Sequence, residues 1–372
     1  MSDALTGLLD ELAARRAAFG AARQMPADIV AKFKAAGVYR ALVAREFGGD
    51  EKSPAEFLRL IETIATADGS AGWVASFGVS ALYLAALPRE TIAEIYADGP
   101  DVVFAGGLFP PQPAFPVDGG LKVSGTWKFG SGSTGADLIG VGIKVEGGPA
   151  SGLPRMAVMP AKSVTIAPNW NVIGLAGTGS HDLVVENVVV PEHWTFVRGS
   201  AATLTNPLYR YPSMAFAAQV LAIVGLGVAR AALDEITRMA GGRGSITGAP
   251  VLADRAYVQI EIAKAEAALR SARAFFYDAT ETAWTKLVAG EALAIEDINL
   301  IRLAASHAAR VGSDVAHAAF TLSGTTGIYA DHPIARHVQD AMVVVQHAFL
   351  SEGTWQSAGR VLLGLDSPPG FP

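Results

Sequence analysis

The spacing of apolar residues changes period twice along this chain, and that double change limits the folds open to it. Up to about residue 100 the spacing is helical. Leu5, Leu8, Leu9 and Leu12 share one side of the opening stretch. Pro26 opens a second segment with Ile29, Val30 and Phe33 on one face, and Gly37 ends it. Ser53-Pro54-Ala55-Glu56 predicts a capping box with proline at the first helical position, and Phe57, Leu58, Ile61 and Ile64 follow. Past Gly99-Pro100 the period shortens to two. Asp118-Gly119-Gly120 signals a turn, after which Leu121, Val123, Trp127 and Phe129 alternate with polar residues as in a half-buried strand. Further short β runs cover Leu138 to Val145, Met156 to Met159, Val164 to Ile166 and Leu183 to Val190.

From Pro212 the helical period returns in long segments. Ser213 to Met239 is apolar nearly all round, which predicts a central helix. The loop GGRGSITG separates it from Val251 to Val288; Ile295 to Leu322 and Pro333 to Gly364 follow. Short strands gathered between blocks of long helices exclude an alternating β/α fold. The expectation is an α+β chain, mainly α. It has an N-terminal helical domain at 1–100, a middle β domain at 101–205 and a C-terminal four-helix bundle at 206–372.

Composition narrows the function classes. A chain of 372 residues with 51% hydrophobic content can bury real cores. The net charge of -6, with no basic stripe, argues against nucleic acid as a partner. The absence of cysteine excludes disulfides, thiolate metal sites and a cysteine nucleophile, and fits a reducing cytosol. No apolar run reaches the roughly 20 uninterrupted residues of a membrane span. Ala215 to Ala232 comes closest, broken by Gln219 and Arg230. The opening residues have no basic leader before an apolar core, so no signal peptide and no membrane association are expected.

Three stretches could carry chemistry. On one uninterrupted helix from Pro333, the residues Arg336, Asp340 and His347 fall on one face, and Glu352 supplies a second acid–base candidate. Ser124 to Ser133 brings Trp127 and Phe129 into a Gly/Ser loop, although spacing alone favours a hairpin with a buried tryptophan. Gly177-Thr178-Gly179-Ser180-His181-Asp182 does not open a helix, so a phosphate cradle is unsupported; a tight turn with a solvated His181 is the simpler expectation. His307 and His317 read as packing residues. With no HExxH or paired Glu-x-x-His pattern, no metal site is expected.

Taken in order, these segments resemble the acyl-CoA dehydrogenase fold superfamily over nearly the whole chain. AREFGGD is similar to the loop after that family's second helix, and SGTWKFGSG to its flavin-contacting strand and loop. GTGSHDLVVENVVVPEH is similar to the next flavin-contacting loop and strand, and SGTTGIYADHPIARHVQDA to the turn and helix that meet the flavin. Singly none is specific; the ordered set is. Trp-x-Phe-x-Ser-Gly, Gly-Thr-Gly-Ser, the Asp340–His347 spacing and the ending AGRVLLGL resemble the two-component flavin-dependent monooxygenases more than the dehydrogenases.

That resemblance implies a middle β-barrel, a cytoplasmic homotetramer and a separate flavin reductase as a transient partner. The reductase supplies reduced flavin (FADH2 or FMNH2), and O2 adds to it. The C4a-hydroperoxide then oxygenates a small aromatic such as an indole or phenol. It also implies roles: His347 as the base that deprotonates or orients the substrate, Asp340 orienting it, and Ser131 with Gly132 near flavin N5. Trp127, Phe129, Thr178, Gly179, Ser180 and Gly324 would contact the isoalloxazine, and Trp73, Phe77 and Phe109 would form the substrate wall. Glu352-Gly353-Thr354 points the other way. It resembles the segment holding the catalytic carboxylate of true acyl-CoA dehydrogenases, and implies an FAD-dependent dehydrogenase with Glu352 as base.

Overall fold

Six helices precede the first strand in the computed structural model, which describes residues 3–147, 154–241, 250–368 and 371. They are α1 (Asp3–Ala22), α2 (Ala27–Ala35), α3 (Pro54–Ala67), α4 (Gly69–Ala75), α5 (Ser80–Leu84) and α6 (Arg89–Ile95). α1 buries Leu8, Leu12 and Phe19. α3 starts at the expected capping box: Ser53 N donates to Glu56 Oε2 at 2.8 Å, and Glu56 N donates to Ser53 Oγ at 3.3 Å. Such a pair satisfies two amides that the helix start leaves without partners. Asp68 ends α3 and caps α4, its Oδ1 accepting from Ala71 N at 2.8 Å.

Among the described residues seven strands follow in one sheet of order β5-β6-β2-β1-β3-β4-β7. They are β1 (Phe104–Val117), β2 (Gly120–Gly130), β3 (Leu138–Val145), β4 (Arg155–Pro160), β5 (Thr165–Ala167), β6 (His181–Val190) and β7 (Thr195–Val197). β1 and β2 form an antiparallel hairpin, while β1 runs parallel to β3. β5 and β7 are three-residue edge strands, and among the described residues no ladder joins them to close a barrel. Trp127 is fully buried, and its Nε1 donates to Gly142 O at 2.8 Å. It is the centre of the sheet's own core, with Val123, Ile139, Val141 and Leu183.

The second helical block holds α7 (Ser213–Ala240), α8 (Ala256–Val288), α9 (Ile295–Ser323), α10 (Pro333–Val344) and α11 (Glu352–Leu362). α7 is the central helix, with Phe216, Ile223, Val224 and Leu226 fully buried. Among the described residues it is the one helix long and apolar enough to cross a membrane, and 94% of its most apolar window is buried by the protein. GGRGSITG falls at 241–248, almost wholly outside the described residues. α8 begins at Ala256, later than the spacing predicted, after a short 3-10 turn at Leu252–Asp254.

The fourth helix of the bundle is broken, and this corrects the expected geometry. α10 ends at Val344, a 3-10 turn covers Ala348–Leu350, and α11 starts at Glu352. Two features end α10. Val343, Val344 and Val345 are β-branched and fit a helix poorly. His347 then takes extended backbone, and its Nδ1 accepts from Phe349 N at 3.2 Å. The side chain thus competes with the helix for that amide.

Candidate active site

A cavity of about 580 Å³ lies between the sheet and the second helical block. One wall comes from α4 and the turn after it, through Trp73 and Phe77; another from α7, through Val220 and Leu221. β1 and β2 supply Phe109 and Phe129, the turn after β2 supplies Ser131, and the 170–180 loop supplies Trp170, Thr178 and Ser180. The break between α10 and α11 turns His347 into it. Among the described residues no carboxylate lines this cavity.

Three hydroxyls form a chain on one wall. Thr178 Oγ1 donates to Leu175 O at 2.8 Å, so its single proton is committed. The 2.7 Å contact between Ser180 Oγ and Thr178 Oγ1 must then be donated by Ser180. The 2.6 Å contact between Ser131 Oγ and Ser180 Oγ must in turn be donated by Ser131. Trp73 Nε1 donates to Ser131 Oγ at 3.3 Å. The chain therefore runs one way, from Trp73 to the Leu175 carbonyl. Every hydroxyl proton is used, and what remains at Ser131, Ser180 and Thr178 is acceptor capacity. Phe129, 65% exposed, and Trp170 meet edge to face at 6.2 Å and form an aromatic wall at the cavity's open side.

His347 is half-buried between Trp73 and Phe349, at 6.0 Å and 5.2 Å between ring centroids. Burial, with the nearby Arg302 charge adding, pushes its pKa down to about 4. It is neutral at neutral pH, and Nδ1 is occupied as an acceptor, so Nε2 carries the proton. A base needs a free lone pair, and this imidazole has none to offer. It offers an N–H donor instead, so of the two roles expected from the sequence, deprotonating or orienting the substrate, the geometry speaks against the first and is compatible with the second.

Asp340 does not orient His347. Its Oδ1 accepts from Leu175 N at 2.5 Å, which anchors the loop carrying Thr178 and Ser180 to α10. Burial first, and the charge of buried Asp68 second, raise its pKa to about 7 from 3.8. A carboxyl raised on folding contributes stability that is complete below the unfolded value and is lost as pH rises through the folded one. Asp340→Asn keeps an acceptor for Leu175 N without the charge. Its gain in Tm over wild type is expected to be larger at about pH 8 than at about pH 5 by calorimetry. An equal gain at both would contradict the buried-charge account.

The remaining sequence candidates divide. Trp73, Phe77, Phe109, Phe129, Ser131, Thr178, Ser180 and His347 line the cavity. Trp127 does not, because it belongs to the sheet core. Gly132 and Gly179 shape the loops from behind: Gly132 N donates to Thr178 O at 2.9 Å, and Gly179 faces Gln24. Gly324 lies on an exposed turn away from the cavity. Glu352 has an 84% exposed side chain beside Arg310 and does not line the cavity, so the dehydrogenase alternative has no carboxylate in place. His181 is buried rather than solvated; its Nδ1 accepts from Trp170 N at 3.0 Å and fixes the aromatic wall. Sequence reasoning missed Trp170, Tyr83 and Arg198, which no local motif marks.

A family model for the C-terminal domain of acyl-CoA dehydrogenases matches residues 219–352. The chain is 57% identical over 367 residues to an indole-3-acetate monooxygenase of Pseudomonas putida, covering 99% of this chain and 94% of that one. It is 27% identical to the oxygenase component of an FADH2-dependent resorcinol hydroxylase of a Rhizobium species, covering 93% of this chain and 89% of that one. The crystal structure of 3-HSA hydroxylase from Rhodococcus sp. RHA1 superposes with a TM-score of 0.92 at 27% identity, over 99% of this chain and 97% of that one.

Proposed function

The chain belongs to the flavin-dependent monooxygenases built on the acyl-CoA dehydrogenase fold, and from that premise we propose that it is the oxygenase component of a two-component system hydroxylating indole-3-acetate. The observation that carries the reading is the one-way hydroxyl chain beside an apolar cavity. Acceptors without free protons fit a cofactor whose edge presents N–H donors, as reduced flavin does. Ser131, Ser180 and Thr178 would hold that edge, and Phe129 and Trp170 would cover its ring.

Bound reduced flavin supplies two electrons, so that one atom of O2 enters a substrate C–H bond and the other leaves as water. The protein's own contribution is placement and exclusion. Trp73 and Phe77 give an indole a flat apolar surface. His347 donates from Nε2 to a substrate or oxygen atom that gains negative charge, and stays neutral while doing so. Val220, Leu221 and Phe104 keep bulk water from the reacting carbon.

A separate reductase delivers the flavin as FADH2 or FMNH2, the enzyme works in the cytoplasm, and four copies assemble. Ile328 and Tyr329, 69% and 66% exposed beside Gly324, are apolar groups suited to a neighbouring copy. Light scattering showing a monomer would remove that last element. The catalytic reading is tested by mixing the protein with chemically reduced flavin, indole-3-acetate and oxygenated buffer. Oxygen uptake matched by loss of indole-3-acetate is expected. Uptake matched wholly by hydrogen peroxide would contradict it.

A further inference from the structure

We infer that Arg198 is the anion receptor of the cavity and that the substrate is held there by its carboxylate; naming that substrate an indole-3-alkanoate rests on the function proposed above. Arg198 follows β7, and its backbone N–H donates to Pro154 O at 3.0 Å. The residue is 6% exposed and lines the cavity. Its guanidinium lies 3.7 Å over the ring of Tyr83, and Nη1 donates to Ser213 Oγ at 3.4 Å. Among the described residues no carboxylate pairs with it, and Tyr83 is the one titratable neighbour that acts on it.

An arginine so placed is costly to the fold. A buried cation without a counterion loses hydration and regains little. Among the described residues no other arginine lines the cavity. Arg230 is paired with Asp234 and Glu266, and Arg302, which donates to Met214 O, does not line the cavity. Ser213 and Tyr83 engage part of the guanidinium, and the rest of its five N–H donors are left for whatever enters. With one face against Tyr83, its free edge suits a planar carboxylate bonded through both oxygens.

Two anions could use such a receptor: the carboxylate of an arylalkanoic acid, or the phosphate of the flavin. Position favours the carboxylate. The open side of the cavity is marked by the exposed Lys128 and Phe129, and a flavin's phosphate chain leads toward solvent. Arg198 is enclosed, beside the first residue of α7, whose N-terminal end also favours negative charge. A small acid can end there, whereas the pyrophosphate of FAD, with more cofactor beyond it, cannot; the terminal phosphate of FMN is separated from the acid by the flavin-affinity arm of the test.

The test uses three forms of the full-length protein, namely wild type, Arg198→Met and Arg198→Lys. The probes are indole-3-acetate and its neutral isostere, indole-3-acetamide. The preference for acid over amide, as a ratio of kcat/KM values, is expected to fall by about 10²-fold in Arg198→Met, mainly through KM, and to recover in part in Arg198→Lys. Thermal shift gives a readout that needs no turnover: the acid should raise the Tm of wild type more than the amide does, and Arg198→Met should lose that difference. Arg198→Met should itself fold at least as well as wild type, since it removes an unpaired buried charge. If it does not fold, Arg198→Lys still reads the acid–amide split. An acid preference unchanged in the variants would overturn the assignment, as would a loss confined to flavin affinity. If wild type oxidises neither compound, the proposed reaction fails, while the thermal-shift difference still decides for or against Arg198 as the receptor.

Discussion

His347→Ala is expected to lower kcat by about 10²- to 10³-fold, the usual effect of removing one placed donor, while flavin affinity changes little. The imidazole lines the cavity beside Trp73 and is not part of the Ser131–Ser180–Thr178 chain. Its pKa lies near 4, so kcat should stay level across the interval, about 5.5 to 8, in which an ordinary histidine titrates. His347→Gln, which brings an N–H donor but no basic nitrogen, should recover part of the lost rate. Rapid-mixing turnover of the three proteins over that pH range checks the account. A wild-type profile rising through about pH 6.5, with His347→Gln as poor as His347→Ala, would return the residue to the role of base.

Gly174→Ala should abolish reduced-flavin binding under conditions that saturate wild type, a loss of affinity of about 10²-fold or more. A Cβ at this position would lie 2.3 Å from Gln339 O and 2.8 Å from Asp340 N. These are backbone atoms of α10, and neither can rotate away. The 170–180 loop must lift instead, taking Leu175 N from Asp340 and Thr178 and Ser180 from Ser131. The cost in stability is about 1–3 kcal/mol, the range for overpacking. Anaerobic titration with reduced flavin, alongside thermal unfolding, measures both. Full flavin affinity in a folded Gly174→Ala would show that the contact between this loop and α10 does not set the cofactor wall.

These expected effects show where the sequence was readable. The architecture was legible because period is local: alternation over Leu121 to Phe129 and the apolar surface of Ser213 to Met239 each report on neighbouring residues. The hydroxyl wall was legible only through resemblance, since Ser131 and Ser180 are far apart in sequence and meet through the sheet. Two things were hidden. The break after Val344 depends on a side chain of the turn, His347, taking the Phe349 amide, whereas the spacing alone predicts an unbroken helix with Asp340 and His347 on one face. Trp127 is legible by spacing, which favours a buried tryptophan; only the resemblance makes it a flavin contact, and the close approach of β3 gives its indole N–H a partner at Gly142 and seals it in the core. Arg198 reads in sequence as an ordinary strand-end arginine. Only the tertiary structure reveals that, among the described residues, no acid accompanies it into the cavity.

The most direct measurement of the central claim is isotopic. The protein would be mixed with chemically reduced flavin and indole-3-acetate under ¹⁸O2, and the product weighed by mass spectrometry. One ¹⁸O atom per molecule of hydroxylated product is the predicted result. Unlabelled product, or labelled hydrogen peroxide with indole-3-acetate untouched, would contradict it.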